Sequence, residues 1–230
     1  MQDLLQILIE QQYAYIQTAD TSAFTPLARQ EITDLAHYLE LIKTWTTKID
    51  LVSMQSDEML VSRHIIDCVC TGKIVAQLDI SPGLNFVDVG SGAGLPGIVL
   101  ALLDRKRKVH LVEPRKKRCI FLQEAKQQLG LANTEIHEID FAGFAAKYRA
   151  GNSAGIGLII ARAIGMRERY LKQAWKLVDK NGFVAEMLGA KLPELPVEKT
   201  VGGHLYKNYN FNLPPDDAKR SLWFWGSKRL

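Results

Sequence analysis

Cysteine is scarce in this chain: only Cys68, Cys70 and Cys119 are present. Three thiols build no disulfide framework, and Cys68-Val69-Cys70 has no second Cys/His pair to complete a zinc site. Reduced, half-buried thiols and no metal are therefore expected. No apolar run approaches the roughly 18 residues of a membrane span, so no membrane partner is expected. The opening MQDLLQILIEQQ lacks a basic region and a small-residue cleavage site, which points to a cytoplasmic protein rather than a secreted one. Repeats and low-complexity tracts are absent. What remains is an ordinary globular composition, 47% hydrophobic and 23% charged over 230 residues. That length holds one α/β domain with a well-buried core, or a domain with an appendage.

Basic residues are sparse early and abundant late. Residues 1–80 carry 5 Lys/Arg against 11 Asp/Glu; residues 81–230 carry 24 against 14. A basic body with a separate acidic segment suits a polyanion such as nucleic acid. Plain solvated lysines are the other explanation.

Residues 1–80 read as helices. Ile32, Leu35, Leu39 and Ile42 make one apolar stripe, and Leu4, Leu5, Leu8, Ile9 and Ile16 a looser one. Thr25-Pro26 offers an N-cap and first-turn proline for the second helix. A third spans 57–75. Ser81-Pro82-Gly83 breaks the pattern, giving a helical cap over 1–80 and a second domain over 81–230. There, strands are predicted at 85–89, 109–113, 134–139, 157–161 and 183–188. Helices are predicted at 96–103, 116–129, 141–148 and 167–177. This alternation predicts an α/β, doubly wound, mostly parallel sheet. Residues 204–211 and 222–226, joined around Pro214-Pro215, predict an antiparallel hairpin at the sheet edge, for seven strands in all.

Residues 86–97 read FVDVGSGAGLPG. A glycine turn between the first strand and first helix is a nucleotide-type site. The dinucleotide fingerprint G-x-G-x-x-G is not met, because Gly94 follows Gly90 and Gly92 one place early. Asp88 would also repel a nearby phosphate, which argues against a nicotinamide oxidoreductase. S-adenosylmethionine carries a sulfonium, an ammonium and a carboxylate but no phosphate. An acid suits its cations, and the turn's backbone N–H groups suit its carboxylate. Glu113 ends the second strand, 23 residues after Gly90. An acid there can hold ribose hydroxyls, a feature both cofactors share.

These residues resemble the glucose-inhibited division protein B family, the bacterial small-subunit ribosomal RNA guanine-N7 methyltransferases. The loop from Asp88 to Gly97 is similar to that family's cofactor loop, with Leu95-Pro96-Gly97 its specific tail. LVSRHIIDC at 60–68 resembles its Arg-His-Ile-x-Asp-Ser helix, and Lys48-Ile-Asp-Leu-Val-Ser53 the Asn-Leu-Thr-Ser stretch before it. Lys117-Arg118 with Phe121-Leu122 matches its Lys-Arg-x-x-Phe-Leu. Ala161-Arg162-Ala163 matches its Ser-Arg-Ala. The likeness runs over roughly residues 30–190 in the same order. It implies a class I, Rossmann-like methyltransferase using S-adenosylmethionine, a monomer, with ribosomal RNA or the small ribosomal subunit as partner. By position it implies that Asp88, Gly90, Ser91, Gly92, Gly94, Leu95, Glu113, Pro114, Phe141 and Ala142 bind cofactor. Arg162 would meet both cofactor and target as the catalytic residue, and Arg63, His64, Lys117 and Arg118 would meet RNA. The chain departs from the family at Gly157, where an acid is usual, at Leu188, where lysine precedes the glycine, and at Asp140-Phe141-Ala142, where Arg-Ala-Glu is usual. Leu188 and Asp140 each remove a positive charge near the expected RNA side, which keeps another RNA, a small molecule, or a ribosome-binding relative without catalysis as alternatives.

Guanine N7 has a free lone pair at neutral pH, so its methylation needs positioning and no general base. Marks of other targets are missing. The Asn/Asp-Pro-Pro-aromatic run of amino-nitrogen methylation is replaced by Ala161-Arg162-Ala163-Ile164, and no cysteine follows Cys119 to attack a pyrimidine. Arg105-Lys106-Arg107-Lys108 is expected as a solvated loop at the far end of the sheet, or a remote phosphate contact, and Trp223-Phe224-Trp225 as edge-strand packing.

Overall fold

Short apolar runs after residue 84 pair into a single sheet in the computed structural model, which describes residues 2–19, 24–53, 56–151, 154–194 and 202–227. The strands are β1 (Asn85–Val89), β2 (Val109–Val112), β3 (Thr134–His137), β4 (Ile156–Arg162), β5 (Phe183–Leu188), β6 (His204–Leu213) and β7 (Ala218–Gly226). Their order is β3-β2-β1-β4-β5-β7-β6. The first five are parallel; β7 runs antiparallel to β5, and β6 antiparallel to β7. The parallel centre is buried on both faces, which is why β1 and β4 are nearly continuous apolar runs.

Helices cover both faces. Ahead of the sheet lie α1 (Gln2–Ala19), α2 (Arg29–Thr46), α3 (Asp57–Leu60), a π-helical turn (Val61–Ile66) and α4 (Asp67–Val75). Between strands come α5 (Gly97–Leu103), α6 (Lys116–Gln128), α7 (Phe141–Ala150) and α8 (Arg167–Trp175). Alternate strand residues serve opposite faces. Phe86, Leu111, Leu158 and Ile160 join a core built with α1, α2, α4, α5 and α6. Val87, Val89, Ile159 and Val184 join a second with α7 and α8. The α2 stripe of Ile32, Leu35, Leu39 and Ile42 is buried as its spacing requires.

Several local expectations are corrected. Thr25-Pro26 does not start α2, whose first residue is Arg29; the Ala28 N–H instead donates to the Glu31 carboxylate at 2.7 Å. The thiols are fully buried rather than half-buried, and burial raises the pKa of each. The basic run is a loop with Arg105, Lys106 and Lys108 exposed, as expected, but three of its side chains also have protein partners. Arg105 pairs with Asp34 at 2.7 Å, Arg107 donates to Ser81 and Leu84 carbonyls, and Lys108 pairs with Glu135. Trp223-Phe224-Trp225 packs as expected, but in the interior strand β7; β6 is the edge. Among the described residues, no helix is long and apolar enough to cross a membrane.

Candidate functional site at the carboxyl ends of the central strands

In an open parallel sheet, ligands gather where strand order reverses, at the carboxyl ends. Here that point lies between β1 and β4, beside the glycine loop. Gly90, Gly92 and Gly94 have φ of 71°, 57° and 83°, the left-handed region that glycine adopts freely. A Cβ on Gly90 would meet no atom within 4 Å, so the loop is open there. Gly97 is glycine for a different reason: a Cβ would stand 2.3 Å from the Leu111 side chain and 2.7 Å from Asp88 Oδ2.

Asp88 lies beneath the loop, 1% exposed, and its Oδ2 accepts the Gly97 N–H at 3.0 Å. It ties β1 to the first turn of α5. Its other oxygen is buried with no protein partner, and burial pushes the carboxyl pKa up from 3.8 to about 7. The stability such a raised group contributes is complete at low pH and is lost as pH rises through about 7. Asp88→Asn keeps an acceptor for Gly97 and removes the titration. The stability of wild type relative to Asp88→Asn should fall by up to about 1.4 kcal/mol per pH unit across that window. Urea unfolding of both proteins across it measures this; parallel curves would rule the titration out.

Most of the turn's N–H groups, expected to be open to a carboxylate, are engaged within the protein. Those of Gly90 and Ser91 donate to the Val112 carbonyl, and those of Gly94 and Leu95 to the Ser91 carbonyl. The Gly92 N–H donates to Glu113 Oε2 at 2.9 Å, while Arg115 N–H donates to Oε1 at 2.9 Å. Glu113 thus pins the loop, with one lone pair left on each oxygen for another donor. Pro114 beside it is exposed. The N-terminal helices also hold this loop: the Tyr38 hydroxyl of α2 donates to the Ala93 carbonyl. Arg118 does not stand free on a basic face. It donates to the Asp50 carbonyl at 3.0 Å, and its Nη1 lies 3.4 Å from where a Gly92 Cβ would sit. Lys117 is exposed on α6.

Arg162 leaves the end of β4 and meets the π-helical turn that carries Arg63 and His64. Its Nη1 donates to the Arg63 carbonyl at 3.2 Å and its Nη2 to His64 Nδ1 at 2.8 Å. Asp67 lies 3.9 Å from Arg162 and 3.3 Å from Arg220. A π turn widens the helix by one residue and is common at functional sites. Because His64 Nδ1 accepts from an arginine, the ring's proton sits on Nε2, which is buried and has no protein partner. Burial first, then Arg162, Arg220 and Arg63, lower the His64 pKa to about 4, so it is neutral at neutral pH. Arg63 Nη2 pairs with Asp216 at 2.6 Å.

These groups line a cavity of about 480 Å³ over the ends of β4 and β5, with Glu186 and Leu188 on its far wall. Phe141 and Ala142 line a smaller neighbour of about 160 Å³, with Val89, Asp140 and Ile164. Asp140 accepts the Gly143 N–H at 2.7 Å, an N-cap that accounts for an acid there. Ile164 borders both cavities, in a loop where Ala163 and Met166 take positive φ at 51° and 48°. Such backbone costs energy and clusters at ligand sites. The sequence reasoning missed Tyr38, Asp67 and Arg220. Only Asp67, in the helix motif, carried a signal.

The fold and motifs have relatives. The delta-N METTL16 MTase domain superposes with a TM-score of 0.58 at 13% identity, covering 84% of this chain and 96% of that one. That similarity shows the fold alone. A ribosomal RNA small subunit methyltransferase G from Nitrosomonas eutropha is 35% identical over 175 residues, 73% of this chain and 76% of the relative. Another, from Oceanobacillus iheyensis, is 27% identical over 197 residues, 84% and 81% of the two chains. The family model described as GidB, rRNA small subunit methyltransferase G, matches residues 31–200. With that match spanning the glycine loop, the π turn and Arg162 together, the chain belongs to the rRNA small subunit methyltransferase G family.

Proposed function

We propose that this protein methylates N7 of a guanine in small-subunit ribosomal RNA, in the cytoplasm, with S-adenosylmethionine as donor. The residues present fit that cofactor: the loop is open over Gly90, the Glu113 oxygens keep lone pairs for ribose hydroxyls, and Phe141 offers a ring face for adenine. With most of the turn's N–H groups engaged, the Arg118 guanidinium beside Gly92 takes the amino-acid carboxylate. When bound, the cofactor supplies an electrophilic methyl group on sulfur. The residues of this chain position the target and exclude water.

One observation carries the N7 reading. Asp67, Glu186 and His64, the acids and the histidine around the larger cavity, each face an arginine. Asp67 faces Arg162 and Arg220, and Glu186 is held by Arg167 at 2.6 and 2.8 Å and by the Trp225 N–H at 2.9 Å. The His64 lone pair accepts from Arg162. A cavity whose acids and histidine are all held by arginines suits a nucleophile that has no proton to lose. The arginines and the His64 Nε2–H are donors suited to guanine O6 and phosphate oxygens.

The test is transfer from methyl-labelled S-adenosylmethionine to small ribosomal subunits, and to their naked RNA, from cells lacking the gene. Label should appear in 7-methylguanosine after digestion to nucleosides. Label in another nucleoside would overturn the N7 assignment, and no label on either RNA would overturn the substrate. RNA affinity should also fall steeply with salt; a flat response would remove the role of the basic residues.

A further inference from the structure

The second face of the sheet holds a polar cluster that methyl transfer does not use. His110 of β2 is in register with Glu135 of β3, and His137 lies two residues further along β3, on the same face. The donor atoms of the three lie within 4.8 Å of one another. His110 Nδ1 is 2.9 Å from His137 Nε2. Glu135 Oε2 is 3.8 Å from His110 Nδ1, and Oε1 is 3.7 Å from His137 Nε2. We propose that His110, Glu135 and His137 form a binding site for one divalent transition-metal ion of the zinc class.

Two imidazoles and one carboxylate are a borderline donor set that zinc accepts with a water in the fourth place. Zinc sits about 2.0–2.2 Å from such nitrogens and oxygens, so donors around it stand roughly 3–3.5 Å apart. The present separations bracket that range, and side-chain rotation alone closes the difference. The three residues line a cavity of about 650 Å³, with room for a water ligand and an entry path. The rings are held in place: His110 meets Tyr148 edge-on at 5.3 Å, and His137 meets Phe144 at 4.9 Å. Burial also lowers both histidine pKa values, that of His110 to about 4, leaving the neutral imidazoles that metals bind. When the ion binds, the proton now between the two ring nitrogens moves to the other nitrogen of its own ring, so that both imidazoles stay neutral and offer His110 Nδ1 and His137 Nε2.

Lys108 limits the site. Its Nζ lies 2.7 Å from Glu135 Oε2, so Oε1 is the oxygen left for a metal. The ammonium also repels a cation. Removing it should therefore tighten binding, which a merely structural cluster would not do. The site lies next to the cofactor end of the sheet: the Glu113 N–H donates to the His137 carbonyl at 3.1 Å. A bound ion would cross-link β2 and β3 directly behind Glu113.

The test uses untagged full-length protein stripped by a chelator and titrated with Co²⁺, a spectroscopic stand-in for zinc. One ion per chain should bind, with visible bands of tetrahedral cobalt that Zn²⁺ abolishes. Loss of outer-shell partners already costs about 10- to 100-fold in metal affinity, so loss of a ligand should cost at least that. His137→Gln and Glu135→Gln are chosen because both positions are partly exposed and tolerate change; unchanged thermal unfolding in chelator confirms their folding. Lys108→Gln should tighten binding. No cobalt bands in the wild type, a near-ultraviolet thiolate band placing the ion on cysteine, or equal affinity in both ligand variants would overturn the proposal.

Discussion

Arg162→Ala should abolish methyl transfer, with a fall in kcat of about 100-fold or more. Arg162 is the point where three elements meet: β4, the π turn through the Arg63 carbonyl and His64, and α4 through Asp67. Removing the guanidinium frees His64 Nδ1 and takes a bidentate donor from the cavity. The fold should survive, because Asp67 keeps Arg220 at 3.3 Å. Arg162→Lys separates charge from geometry. An ammonium restores the charge beside Asp67 but cannot donate to the Arg63 carbonyl and His64 from one planar fork, so it should rescue stability and little activity. Single-turnover transfer, with cofactor affinity measured separately by calorimetry, distinguishes the two. Full activity in Arg162→Ala would remove this residue from the reaction.

Glu113→Ala should weaken S-adenosylmethionine binding by about 100-fold and destabilise the protein at the same time. The side chain is 3% exposed and accepts from two backbone N–H groups, Gly92 and Arg115. Each buried donor left without an acceptor costs about 1–3 kcal/mol. Glu113→Gln keeps one acceptor oxygen and should fall between wild type and alanine in both measurements. Calorimetric cofactor titration and urea unfolding together check this. Unchanged affinity in Glu113→Ala would show that the carboxylate serves the loop alone.

The legible parts of this protein were those written in local spacing. The stripe on α2, the alternation of strands and helices, the glycine loop and the acid ending β2 all follow from side-chain periodicity or from φ values that only glycine adopts easily. Element ends were less legible: β3 stops at His137 because the chain bends into the Asp140 cap of α7. Thr25-Pro26 does not cap α2, which begins at Arg29; there Glu31 accepts from the N–H of the N-cap residue Ala28.

The sequence by itself determined the architecture, the glycine loop and the place of Arg162 at the end of a central strand, since each rests on residues close together in the chain. Only the tertiary structure decided how those residues are used. It spent most of the loop's N–H groups within the protein and drew Arg118 over Gly92. It also joined Arg162 to His64 across 98 residues of sequence and gathered His110, Glu135 and His137 behind Glu113. The physical reason is that a buried donor or acceptor must find a partner wherever the fold supplies one. That choice depends on which strands pair and which helix lies against them, and no local pattern encodes it.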